Sequence, residues 1–112
     1  MKKRFNKIKN HTEKRDEFRK HKNEPHPKYV FERKGENYNY LSMTHKPPKE
    51  TAKDYVPLNH SANPKDKGKA YINTKSESDN MGNFGARKKG WKFTDSDRKI
   101  VKDIVKKNKK GK

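Results

Sequence analysis

Three side chains with chemistry to offer stand where apolar runs begin or end: His26, Thr44 and His45. A histidine titrates near neutrality, so a pair of them can act as acid and base on a phosphodiester. Taken from spacing alone, His26 and His45 are surface loop residues. The remaining histidines, His11, His21 and His60, show no ordered spacing with carboxylates, and the chain has no cysteine. No metal site, thiol nucleophile or disulfide framework is therefore expected. Gly82-Asn83-Phe84-Gly85 has neither the spacing nor the preceding strand of a P-loop or dinucleotide loop, and no cofactor is expected.

A different chemistry is offered by Arg87-Lys88-Lys89-Gly90-Trp91-Lys92, where cations flank an indole. Such a cluster neutralises phosphates and stacks on a base or sugar. Lys28, Tyr38 and Tyr40 present a second contact face on a hairpin. Against this, a chain so poor in Leu, Ile and Val needs its aromatics inside, so most tyrosines are expected in the core. Trp91 is expected to sit under a C-terminal helix while the neighbouring charges stay in water.

The charge asks for a polyanion. The chain of 112 residues carries a net charge of +18, with 41% charged and 25% hydrophobic residues. Residues 1–28 hold eleven Lys/Arg against four Asp/Glu, residues 29–84 nine against seven, and residues 85–112 twelve against three. A near-neutral middle is thus bracketed by two cationic ends. Each cation that meets a phosphate releases a condensed counterion, which makes nucleic acid the natural partner. An anionic membrane is disfavoured, because no segment pairs a basic face with a wide apolar one. Neither a signal-peptide core nor a membrane span is visible, so a cytoplasmic location is expected.

The elements that must position these residues follow from periodicity. Residues 1–25 read as a basic arm, helical or partly disordered, with Phe5, Ile8 and Phe18 as its sparse apolar anchors. A single small domain is expected over residues 26–107, followed by a basic tail at 108–112. Tyr29-Val30-Phe31 and Tyr38–Thr44 are strands around a Lys34-Gly35-Glu36-Asn37 turn. In the second strand Tyr38, Tyr40, Ser42 and Thr44 share one face, and Asn39, Leu41 and Met43 share the other. With both faces partly apolar, a curved sheet or small barrel fits better than a flat sheet. Tyr55–Leu58 is a strand that Pro57 confines to an edge or bulge, and Ala70–Ile72 is a fourth. Residues 74–90 read as loop. Thr94 caps a final helix, with Asp97 placed as in a capping box and Ile100, Val101, Ile104 and Val105 as its apolar stripe. The fold class is α+β.

His26-Pro27 before Tyr29-Val30-Phe31, then Tyr40-Leu41-Ser42-Met43-Thr44-His45, then Tyr55-Val56-Pro57-Leu58, resembles the strand order of PemK/MazF-type toxins. The resemblance covers about residues 26–72. It implies an SH3-like barrel with a C-terminal helix, frequent homodimers and metal-independent cleavage of single-stranded RNA. By position Thr44 matches the family's functional threonine, and His26 stands where the family has arginine. A lysine-rich segment replaces the family's opening Gly-Asp strand.

The expected function is non-catalytic nucleic-acid binding, RNA ahead of DNA. Lys28, Tyr38, Tyr40, Arg87, Lys88, Lys89, Trp91 and Lys92 are its contact residues. A metal-independent endoribonuclease using His26, Thr44 and His45 is the first alternative. A protein-directed inhibitor or accessory factor from a mobile element, recognised by an acidic protein partner, is the second.

Overall fold

The computed structural model describes residues 12–24, 26–66 and 68–110. Seven β-strands run as β1 Thr12–His21, β2 Lys28–Lys34, β3 Asn37–Thr44, β4 Tyr55–Leu58, β5 Ala70–Asn73, β6 Glu77–Asn80 and β7 Phe84–Arg87. The helix α1, Asp95–Lys110, follows. The strands form an antiparallel sheet in the order β4-β5-β3-β2-β1-β7, with β6 also paired to β3. The class is α+β: a small antiparallel sheet with one C-terminal helix.

The β2–β3 hairpin turns on Gly35-Glu36, with Lys34 paired to Asn37. Gly35 has φ 61°, as the first central residue of a tight hairpin turn requires, and glycine adopts this without a Cβ clash. From there the pleat sorts β3 as its sequence alternation predicts. Leu41 and Met43 face the helix with Tyr29 and Phe31. Tyr38 and Tyr40 face the other way, onto Val30 and Phe84. Both faces are covered, the first by α1 and the second by the returning segment β6–β7. Pro57 lies in β4, at one end of the sheet, where a residue without an N–H is tolerated.

Two segments differ from expectation. Thr12–His21 is neither a helix nor a mobile arm but a central strand, paired with β2 on one side and β7 on the other. Its buried residues are Glu17, Phe18 and His21, so no apolar alternation betrays it. Glu17, 5% exposed, is held by Arg15 and Arg19, and only Phe18 enters the main core. The domain therefore begins before residue 26, and Phe5 and Ile8 lie outside the described residues. Residues 77–87 likewise contain two strands instead of a loop. Glu77-Ser78-Asp79-Asn80 pairs with β3 through its backbone, needing no apolar side chain. The supposed tail also changes, since α1 continues to Lys110.

The curl brings β1 opposite β6, where His21 Nε2 meets Asp79 Oδ2 at 2.8 Å. His21 Nδ1 accepts the Asn23 N–H, so Nε2 carries the hydrogen and donates to the carboxylate. Hydrogen bonds from His21 first, then from Asn83 and the Asn80 backbone, hold the Asp79 carboxyl below its ordinary value. This is a side-chain bridge rather than a ladder. The sheet stays open, and the barrel expected from the sequence is not closed.

Helix α1 is fastened at both ends. Thr94 Oγ1 accepts the Asp97 N–H, as a cap should. Asp97 does not complete the capping box. Its carboxylate is fully buried and accepts from Asn59 N (2.8 Å), Asn59 Nδ2 (2.9 Å) and His60 N (3.0 Å), pinning the segment after β4. At the far end Asn108 donates to the Thr74 carbonyl and accepts from the Ser76 N–H. Between these anchors Val101 and Ile104 are buried, flanked by partly buried Ile100 and Val105. No helix among the described residues is long and apolar enough to cross a membrane.

Candidate nucleic-acid interface

A groove of about 640 Å³ runs between the strand β1 and the helix α1, with residues of the neighbouring β2 in its floor. Its floor is Tyr29, Phe31, Val101 and Val105. Six cations line its walls: Lys14 and Arg15 from β1, and Arg98, Lys102, Lys106 and Lys109 from α1. Positions 98, 102, 106 and 109 fall on one helix stripe, which is why the cations line up beside Val101 and Val105 instead of ringing the helix. Arg15, Arg98 and Lys109 are paired to Glu13 and Glu17, Asp16 and Glu32 respectively. Lys14, Lys102 and Lys106 are exposed and enter no ion pair among the described residues.

Asp16 is the one acid lining the groove, and it is structurally committed. It accepts from Tyr29 Oη at 2.8 Å and from Arg98 Nη1 at 3.0 Å, so it ties helix to sheet. Burial, aided by that hydrogen bond, pushes the Tyr29 phenol well above its ordinary value and keeps it a donor. Asp16 also lines a second depression of about 290 Å³ with Arg87, Lys88, Lys89, Gly90 and Trp91. The groove and the basic loop thus adjoin. Trp91 is half-buried, packing on Phe18 at 5.9 Å between ring centroids, with Lys88 Nζ 5.8 Å from its own ring. Lys92 and Arg87 are exposed. Lys89 is exposed too, and Lys88 partly so.

The hairpin residues are buried. Lys28 is 3% exposed, held by Glu24 and Ser42 inside the curl and lying 5.9 Å from the Tyr40 ring. Tyr38 and Tyr40 are 5% and 4% exposed, each edge-on to Phe84. Burial pushes the Tyr40 phenol up to about 12. These three residues are corrected from contact surface to core, because β6–β7 folds over the face that the hairpin alone would expose.

His26, Thr44 and His45 do converge. All three line a cavity of about 170 Å³ together with Ser61, Asn63, Asp66 and Trp91, over a floor that includes Met43, Ala62 and Ala70. Their roles are constrained by their neighbours. His45 Nδ1 lies 2.7 Å from the Lys69 carbonyl, and Nε2 lies 2.8 Å from Asp66 Oδ2. Both nitrogens face acceptors, so whichever of them carries hydrogen has it committed to a neighbour within the fold. Asp66 is itself fixed by the Gly68 N–H. The Thr44 hydroxyl exchanges hydrogen bonds of 3.3 Å with the Lys46 backbone. His26 is exposed. Among the described residues no three His, Asp or Glu side chains gather as a metal ion would need.

Sequence reasoning missed the groove cations and Asp66. The 98-102-106-109 spacing was a legible signal, but its meaning depended on β1 supplying the opposite wall. No family model matches the chain, and neither a curated protein nor a solved structure matches it.

Proposed function

We propose that the protein binds single-stranded nucleic acid, RNA ahead of DNA, through its phosphates, without cleaving it. The groove between β1 and α1 carries this reading, with cations on both walls and an apolar floor. Such a channel tracks a backbone by charge and shelters sugars and base edges on its hydrocarbon floor. The exposed charges of Arg87 and Lys89 extend the track past Asp16. The contact surface is this groove with its adjoining loop, and the hairpin serves as its scaffold. The test is to mix the purified chain with a labelled single-stranded RNA in EDTA. Bound and intact RNA is expected; failure to retard the RNA at low salt refutes the reading.

A second reading, metal-independent RNA cleavage of the PemK/MazF kind on an SH3-like fold, is favoured by one observation. His26, Thr44 and His45 share a cavity. The engagement of both His45 nitrogens and of the Thr44 hydroxyl speaks against it, since an acid–base pair needs a free site facing the substrate. Cleavage in the same EDTA mixture, abolished by Thr44→Ala, would establish the enzyme instead.

A further inference from the structure

We propose that the small cavity beside Trp91 is a base pocket, taking one unpaired pyrimidine from an oligonucleotide held in the groove; this rests on the nucleic-acid reading above. Three concavities lie in series. Asp16 lines both the groove and the depression under Arg87–Gly90, and Trp91 lines both that depression and the small cavity. A backbone that follows the cations from α1 past Asp16 arrives at the indole, with the cavity on its far side.

The cavity suits a single ring. Its volume is about 170 Å³, and an apolar cavity of about 150 Å³ holds a benzene-sized ring. A fused purine needs more. The floor of Met43, Ala62 and Ala70 is apolar and matches the face of a heterocycle, and polar groups stand around it. Asn63 Oδ1 accepts the Lys65 N–H at 3.0 Å, which sets the amide orientation. Its Nδ2 then carries two hydrogens that meet no acceptor among the described residues. Ser61 Oγ accepts the Asn63 N–H at 3.3 Å and keeps its own hydrogen free. Two free donors match the two carbonyl oxygens of uracil, the pyrimidine the pocket suits best. His45, locked between Asp66 and the Lys69 carbonyl, acts as a rigid wall. A base in this pocket must leave any duplex, so the site selects unpaired nucleic acid.

The test uses the full chain with labelled oligouridylate and oligoadenylate of equal length at one salt concentration. Trp91, the sole tryptophan, serves as an internal fluorophore. Oligouridylate is expected to bind about tenfold more tightly than oligoadenylate, the worth of about one well-made hydrogen bond. Only oligouridylate should alter Trp91 emission strongly. Asn63→Asp keeps the acceptor for Lys65 and removes the donor; Asn63→Ala removes both. Each should lower the ratio of the two affinities several-fold, while cavity size and Ser61 keep part of the preference. Equal binding of the two oligonucleotides by the unmutated chain, or a ratio unchanged in both variants, overturns the pocket while leaving the groove intact. If neither oligonucleotide binds at low salt, the groove reading fails and the pocket falls with it.

Discussion

Removing charge from the groove should change the salt dependence of binding by an amount that the structure sets. Lys14, Lys102 and Lys106 in the groove, with Arg87, Lys88 and Lys89 beside it, are six cations in no ion pair among the described residues. If each neutralises one phosphate of a single-stranded oligonucleotide, the slope of log K against log salt is about −4, from roughly −0.7 per contact. Raising salt from about 50 to about 200 mM then weakens binding by roughly 300-fold. The double variant Lys102→Ala/Lys106→Ala leaves four contacts, so the slope falls to about −2.8 and the same salt step costs about 50-fold. Both lysines are exposed on α1, and alanine is the best helix former, so the fold is not at risk. Lys49→Ala/Lys53→Ala removes the same charge from the exposed β3–β4 connection, outside the groove, and should leave the slope unchanged. Fluorescence anisotropy of a labelled oligonucleotide across a salt series reads all three. Equal slope changes in the groove and control variants would refute a localised track and leave only diffuse attraction to a +18 chain.

Other outcomes test the framework beneath the groove. Asp97→Ala removes a fully buried carboxylate that accepts three hydrogen bonds, from Asn59 N, Asn59 Nδ2 and His60 N. Orphaning those donors should cost about 3–4 kcal/mol, a fall in Tm of about 15 °C by calorimetry; a change under about 3 °C contradicts the account. The Asp79 carboxyl is held low in the folded chain, so its contribution is present above its ordinary value and lost as pH falls through the native one. Asp79→Asn should therefore be less stable than the parent at pH 6, and denaturant titrations should show the difference closing as pH drops below about 3.8, toward the depressed native value. A gap that persists undiminished at acid pH would show that Asp79 acts by packing alone. At the hairpin, Gly35→Ala places a Cβ at φ 61° and should destabilise by about 1 kcal/mol, measured by urea midpoint.

Much of the scaffold was legible from local signals. The strands at 28–34, 37–44, 55–58 and 70–73 and the helix from 95 declare themselves by apolar alternation, a glycine turn, an edge proline and a threonine cap. The cavity around His26, Thr44 and His45 was anticipated only as a question, since these positions lie at element ends. β1 and β6 stayed hidden for one physical reason. Their ladders are made by backbone groups, with Phe18 the one apolar side chain in β1 and none in β6, and polar pairs such as Glu17 with Arg19 and His21 with Asp79 hold them in place. A hydrophobicity pattern cannot register strands with so few apolar side chains.

The sequence by itself determined the chemistry of the surface: a cationic chain without thiols, a helix with lysines along one stripe, a lone indole among basic residues. It also determined which face of β3 holds Leu41 and Met43 and which holds Tyr38 and Tyr40. Only the tertiary structure decided which of those groups meet water. β6–β7 closes over the hairpin tyrosines and Lys28, and β1 stands across from α1 to make a groove of two separate cationic runs. The fold also commits Asp66 and the Lys69 carbonyl to His45. Each of these outcomes depends on contacts between residues far apart in the chain. Residue types set what a side chain can do, and its distant neighbours set whether any of that capacity is left for a ligand.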